Sequence, residues 1–98
     1  MTSIREFQNM MARIYLSRDS KRGTIGTYNW LREEVDELGE AMRKTDKRNL
    51  EDEFADVIAW LASLANILDI DLEKAMLRKY DNCCPRCRSS PCKCQFKY

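Results

Sequence analysis

The sequence predicts an all-α fold, and two observations carry that prediction. Apolar residues recur at three- and four-residue intervals over successive stretches, as one buried helix face requires. No stretch alternates apolar and polar residues for long enough to compete as a strand.

The first helix is expected from Ser3 to Arg18, with Ile4, Phe7, Met11, Ile14 and Tyr15 on one face. Ser3 followed by Glu6 has the spacing of a capping box at its start. Ser17 to Gly26 reads as a polar loop, with Lys21 and Arg22 beside Gly23. A second helix begins near Thr27. Its apolar stripe is Leu31, Val35, Leu38 and Met42, and Trp30, Glu34, Glu37 and Ala41 form the adjacent row. Thr45 to Asn49 makes a tight, charged connection. The third helix runs from about Leu50 to Leu68, with Leu50, Phe54, Val57, Leu61, Leu64 and Leu68 as its core stripe and Glu53 and Trp60 beside it. Asn66 to Asp71 is a break, with Asn66 suited to a capping, interface or substrate contact. Leu72 to Tyr80 makes a short fourth helix.

The 98 residues divide into one folded body, 1–80, and a cysteine-rich basic tail, 81–98. A body of about eighty residues supports only a modest core, and small helical chains commonly complete theirs by self-association. The net charge of +1 conceals a split. Residues 1–78 carry twelve Lys/Arg against fifteen Asp/Glu, and residues 79–98 carry five basic residues against Asp81 alone. Histidine is absent, which excludes Ser-His and Cys-His nucleophile pairs, His zinc ligands and the Glu-x-x-His half-sites of ferritin-like bundles. Proton transfer falls to carboxylates, Lys, Tyr, Cys or metal-bound water. The apolar runs are too short to span a membrane and no signal-peptide pattern opens the chain, so the expected compartment is the cytoplasm.

Two acidic clusters carry the chemistry. Glu33-Glu34-Val35-Asp36-Glu37 and Glu53-Phe54-Ala55-Asp56 each set carboxylates three residues apart, Glu34 with Glu37 and Glu53 with Asp56. Residues so spaced share a helix face. Two antiparallel helices joined by a short turn would bring the four carboxylates together, where they repel unless they take up protons or share a cation. Their hard oxygens suit Mg2+ or Mn2+. A solvated face is the competing reading of any acidic helix. Against it, both pairs abut an apolar stripe, where an unpaired carboxylate is costly. Acid also faces acid where salt bridging would alternate the signs.

The pattern Glu-Glu-x-x-Glu, a spacer, then Glu-x-x-Asp resembles the signature of MazG-like nucleotide pyrophosphohydrolases. The flanking segments Glu37-Leu38-Gly39-Glu40-Ala41 and Asp56-Val57-Ile58-Ala59-Trp60-Leu61 are similar to that family too. The resemblance covers the second and third helices well and the first loosely. It implies hydrolysis of a nucleoside triphosphate, or its deoxy form, between the α and β phosphates, to the monophosphate and pyrophosphate. It makes Glu34, Glu37, Glu53 and Asp56 the magnesium ligands, with Glu37 also counted as catalytic. Glu33 is left to orient the attacking water, to accept its proton or to help bind a further metal. Trp60 is a base-stacking surface or an ordinary core residue, and Trp30 reads as core. Lys21, Arg22 and Lys44 are phosphate contacts or plain surface charges. The resemblance also implies a homodimer or homotetramer, with a helical hairpin, two flanking helices and a four-helix core completed between chains.

In the tail, Cys84-x-x-Cys87 and Cys92-x-Cys94 supply four thiolates, with Cys83 as a spare. In a reducing compartment four such thiolates suit a structural zinc ion, and Arg86, Arg88 and Lys93 offset its negative charge. A disordered or redox-sensitive tail is the competing reading. Five charges on such a tail do not make nucleic acid an expected partner. Two other functions share these residues: phosphoribosyl-ATP pyrophosphohydrolase, with the same bond chemistry, and a non-enzymatic zinc-tailed helical adaptor.

Overall fold

In a computed structural model, which describes residues 2–95, the described residues form three α-helices and no strand. They are α1, Ile4–Ala41; α2, Lys47–Ile67; and α3, Leu72–Lys79.

Helix α1 starts on the capping box that the sequence predicts. Ser3 Oγ accepts the Glu6 N–H at 3.1 Å and Glu6 Oε1 accepts the Ser3 N–H at 2.8 Å. The expected loop from Ser17 to Gly26 does not form. It contracts to Gly23, where φ 84° and ψ 171° interrupt an otherwise continuous helix. That backbone region is open essentially to glycine alone. The physical reason for the difference lies in packing. Asp19, inside the expected loop, and Thr27, just past its end, are 1% and 0% exposed. Burial of the inner face holds the segment helical on both sides of the kink, overriding its loop-like composition.

Asp46 caps α2, its Oδ1 accepting the N–H groups of Arg48 and Asn49 at 3.0 and 3.2 Å. The connection, residues 42–46, is therefore as short as the expected Thr45 to Asn49 but lies three residues earlier. The helix ends in a Schellman motif: Ile70 N–H reaches Ala65 O at 2.9 Å, Asp69 N–H reaches Asn66 O at 3.2 Å, and Asp69 is left-handed at φ 57°. Asp71 then caps α3 through Lys74 N–H at 3.0 Å. That backbone hydrogen bond, helped by Arg5, holds the Asp71 carboxyl below its usual value.

Buried Gln8 fastens the three helix ends together. Its Nε2 donates to Asn66 Oδ1 at 3.0 Å and Ile70 O at 2.6 Å, and its Oε1 accepts from Leu72 N–H at 2.9 Å. Asn66 Nδ2 returns a bond to Gln8 O at 3.1 Å, so Asn66 serves the interface between helices. Arg5 adds ion pairs to Asp71 and Glu73 at 3.1 and 3.2 Å.

The apolar stripes are only partly covered. Met11, Ala41, Ala62 and Ala65 are the buried apolar residues, while Phe54 is 59% and Met42 67% exposed. Val35, Leu61 and Leu68, assigned to the core stripes from sequence, are exposed as well. A single chain sets α2 and α3 against α1, and the described residues hold no further layer of helices to cover the outer face. No helix among the described residues is long and apolar enough to cross a membrane.

Candidate active site

The turn between α1 and α2 folds the chain back so that Trp30 stacks on Trp60, ring centroids 5.6 Å apart and planes 16° from parallel. Four residues along α1, one helical turn, lies Glu34. Carboxylate oxygens of Glu34, Glu37 and Glu53 lie within 4.8 Å of one another, two contributed by α1 and one by α2. This convergence follows from the i, i+3 spacing on α1 and the facing position of Glu53.

The cluster is electrostatically strained. Burial, the charges of Glu37, Asp56 and Glu53 and a hydrogen bond with Glu37 raise Glu34 from an ordinary 4.5 to about 7. Burial and the charges of Glu37, Asp56 and Asp52 also raise Glu53, with Lys44 opposing them. Glu53 Oε1 is enclosed and has no hydrogen-bond partner among the described residues. An enclosed, unpartnered carboxylate oxygen among like charges fits a divalent cation. The donor set is oxygen throughout, which suits Mg2+ or Mn2+ better than a thiophilic metal.

Asp56 stands outside the tight trio but raises both Glu34 and Glu53, and it lines a cavity of ≈ 260 Å3. The same cavity is lined by Trp60, Arg18, Asp19, Arg22 and Ser63. Asp56 thus links the acidic cluster to the recess that Trp60 also lines.

Of the remaining predicted residues, Arg22 reaches the cavity in an unexpected role. Its guanidinium lies over the Trp60 ring, 4.7 Å from the centroid, and pairs with Asp19 Oδ1 at 2.7 Å. Gly26 makes room for it, since a Cβ there would approach Arg22 Cγ to 2.8 Å. Lys44 is exposed at the turn and acts on Glu53. Lys21 is exposed and belongs neither to the cavity wall nor to the carboxylate trio. Glu33 is exposed beside the trio without joining it.

Arg18, Asp19 and Ser63 escaped the sequence reading. Asp19 three residues before Arg22 is an i, i+3 pair of opposite charge, and that was the available signal. It carries meaning only if the segment is helical.

In the tail, Cys84, Cys87, Cys92 and Cys94 place their sulfurs within 4.8 Å of one another, and Cys83 stays outside the group. Backbone N–H groups of Lys93 and Ser89 draw Cys87 down to about 6. Those of Cys87 and Arg86 lower Cys84, while hydrogen bonding with Cys92 and burial push Cys94 up to about 12. The first sulfur to ionise is thereby stabilised, and the last proton is retained by the group as a whole.

No curated protein matches the chain. A family model of the MazG nucleotide pyrophosphohydrolase domain matches residues 23–88. The match begins at the kink of α1 and takes in both acidic clusters, the two tryptophans, α2, α3 and the first two clustered cysteines. With more than half of its length matched and its acidic helices facing each other, the chain belongs to the MazG nucleotide pyrophosphohydrolase family.

Proposed function

We propose that the chain hydrolyses a nucleoside or deoxynucleoside triphosphate between the α and β phosphates, releasing the monophosphate and pyrophosphate. The observation that carries this reading is the convergence of Glu34, Glu37 and Glu53 from two facing helices beside a cavity shared with Asp56. These four residues would hold magnesium. When bound, the metal offsets triphosphate charge and acts as a Lewis acid toward a phosphoryl oxygen.

The protein side chains supply the rest. Glu37, an exposed member of the trio, serves the reaction by helping to hold the metal, and Glu33, exposed one residue before Glu34, accepts a proton from the attacking water. Lys44 meets the outer phosphates from the turn. A base entering the cavity stacks on Trp60 and takes over the place of the Arg22 guanidinium, which is then released toward phosphate. Trp30 backs the ring and keeps it in position. Such a reaction in the cytoplasm would clear unwanted nucleotides from the pool.

We also assign a second copy of the chain to the exposed apolar face. Exposed Phe54, Ile58 and Leu61 of α2 and its C-cap Leu68 fall on one helical face, and Val35 of α1 and its C-cap Met42 are exposed too. A pair of α1–α2 hairpins covering these stripes makes a four-helix core, as a dimer or a dimer of dimers.

Incubation with magnesium and each common ribo- and deoxyribonucleoside triphosphate, followed by chromatography of the products, tests the reaction. Monophosphate with pyrophosphate is expected. Diphosphate with phosphate contradicts the assigned bond. Inactivity on all of them, with turnover of phosphoribosyl-ATP, would reassign the substrate while keeping the site.

A further inference from the structure

The cysteine cluster lies outside the acidic site and is left unused by the proposed reaction. Its geometry is specific. Cys84 Sγ and Cys94 Sγ are 3.7 Å apart, and Cys87 Sγ and Cys92 Sγ are 3.9 Å apart. A tetrahedral zinc ion with bonds of about 2.3 Å separates its sulfurs by about 3.8 Å. Both separations fall on that edge length. A disulfide holds its sulfurs at about 2.05 Å, so neither pair is a bond in this arrangement, and all five cysteines are free.

The backbone around the sulfurs is arranged to support thiolates. Arg86 N–H donates to Cys84 Sγ at 3.4 Å, Lys93 N–H to Cys87 Sγ at 3.2 Å and Cys94 N–H to Cys92 Sγ at 3.3 Å. Backbone donors aimed at metal-binding sulfurs hold those sulfurs in orientation and stabilise their negative charge. The tight turn from Cys84 to Ser89 is closed by Cys84 N–H to Ser89 O at 2.9 Å and Arg88 N–H to Cys84 O at 2.7 Å, with Arg88 left-handed at φ 62°. None of the residues from 81 to 95 is fully buried, so hydrophobic burial does not account for this closed shape. The four sulfurs gather within 4.8 Å of one another, two from this turn and two from the segment after it.

We infer that Cys84, Cys87, Cys92 and Cys94 form a closed tetrathiolate centre for one zinc ion, which folds the tail into a knuckle. Four protein ligands fill a tetrahedral ion and leave no open position, so the centre is structural and takes no part in hydrolysis. The site stands whether or not the acidic cluster hydrolyses nucleotides.

The test uses the full chain, purified with reductant and without chelator. Elemental analysis is expected to return one zinc per chain. Cys87→Ser and Cys92→Ser should each lose most of it, with helical circular dichroism unchanged, since both residues lie beyond α3. Cys83→Ser and Glu37→Gln should retain it. Cobalt(II) in place of zinc should give the intense visible bands of tetrahedral thiolate coordination. The assignment is overturned by wild-type chain that carries no zinc and has all its thiols open to alkylation. Disulfides detected by mass, or iron in place of zinc, overturn it too. So does zinc that survives both serine variants and departs with Glu37→Gln.

Discussion

Glu34 is where burial and charge crowding meet, and it makes the acidic cluster sensitive to pH. Its carboxyl titrates near 7 in the folded chain against an ordinary 4.5, so the folded state holds this proton more tightly than the unfolded state. Its contribution to stability is complete below about pH 4.5 and is lost as pH rises toward 7. Glu53 is shifted in the same direction. Denaturant unfolding in chelator should therefore show stability falling between pH 4.5 and 7, and Glu34→Gln should flatten that fall. Magnesium competes with the same protons, so its stabilisation of the wild type should grow as pH rises through 7 and be much reduced in Glu34→Gln. Glu37→Gln should lower turnover by more than ~10²-fold, beyond the 10–100-fold of an outer-shell change. It should leave the fold intact, or firmer without metal, because one repelling charge is gone. Loss of helical signal in Glu37→Gln would count against its place in the trio. These glutamates were legible in the sequence because i, i+3 spacing survives any helical packing. Asp19 was not legible, because its meaning depends on α1 continuing to the kink.

At the scale of elements, the ends of the helices follow local chemistry and the kink does not. Ser3, Asp46 and Asp71 cap their helices through their own neighbours; Ser3 is legible because Glu6 completes a capping box, whereas Asp46 sits in a charged run that reads as connection. The stretch from Ser17 to Gly26 misleads because its serine, glycine and threonine are loop formers in isolation. Packing of Asp19 and Thr27 keeps it helical, and Gly23 alone leaves the helix. That conformation places Arg22 over Trp60 on one side of the kink and Trp30 behind Trp60 on the other. Gly23→Ala should destabilise the chain by about 1–3 kcal/mol in thermal or denaturant unfolding, the usual cost of a side chain in this region. Disturbance of the Trp30–Trp60 pair should appear in the same variant as altered tryptophan fluorescence. An unchanged midpoint and spectrum would mean that the kink relaxes freely.

For the whole molecule, the decisive quantity is what one chain fails to cover. The Cα radius of gyration is 15.7 Å, above the roughly 13 Å of a compact chain of this length. Among the described residues the buried apolar ones are Met11 and three alanines, little with which to offset the entropy of ordering the chain. Sedimentation at micromolar concentration should give at least twice the 11.6 kDa chain mass. Leu61→Glu, on the exposed stripe of α2, should lower that mass toward a single chain and reduce thermal stability. A wild-type monomer that unfolds cooperatively at ordinary temperatures would remove the need for a partner.

The amino-acid order by itself determined the all-α class, the Ser3–Glu6 capping box, the two acidic pairs and the four clustered cysteines. Each of these depends on groups a few residues apart, and the helix period or a tight turn fixes their relation wherever the chain packs. Only the tertiary structure decided that α1 runs on to Gly23 and that Arg22 is held by Asp19 and Trp60. It alone separated Asp56 from the tight trio and left part of each long apolar stripe facing outward. Those outcomes depend on which helix faces which, and a period read along one segment carries no information about the surface set against it.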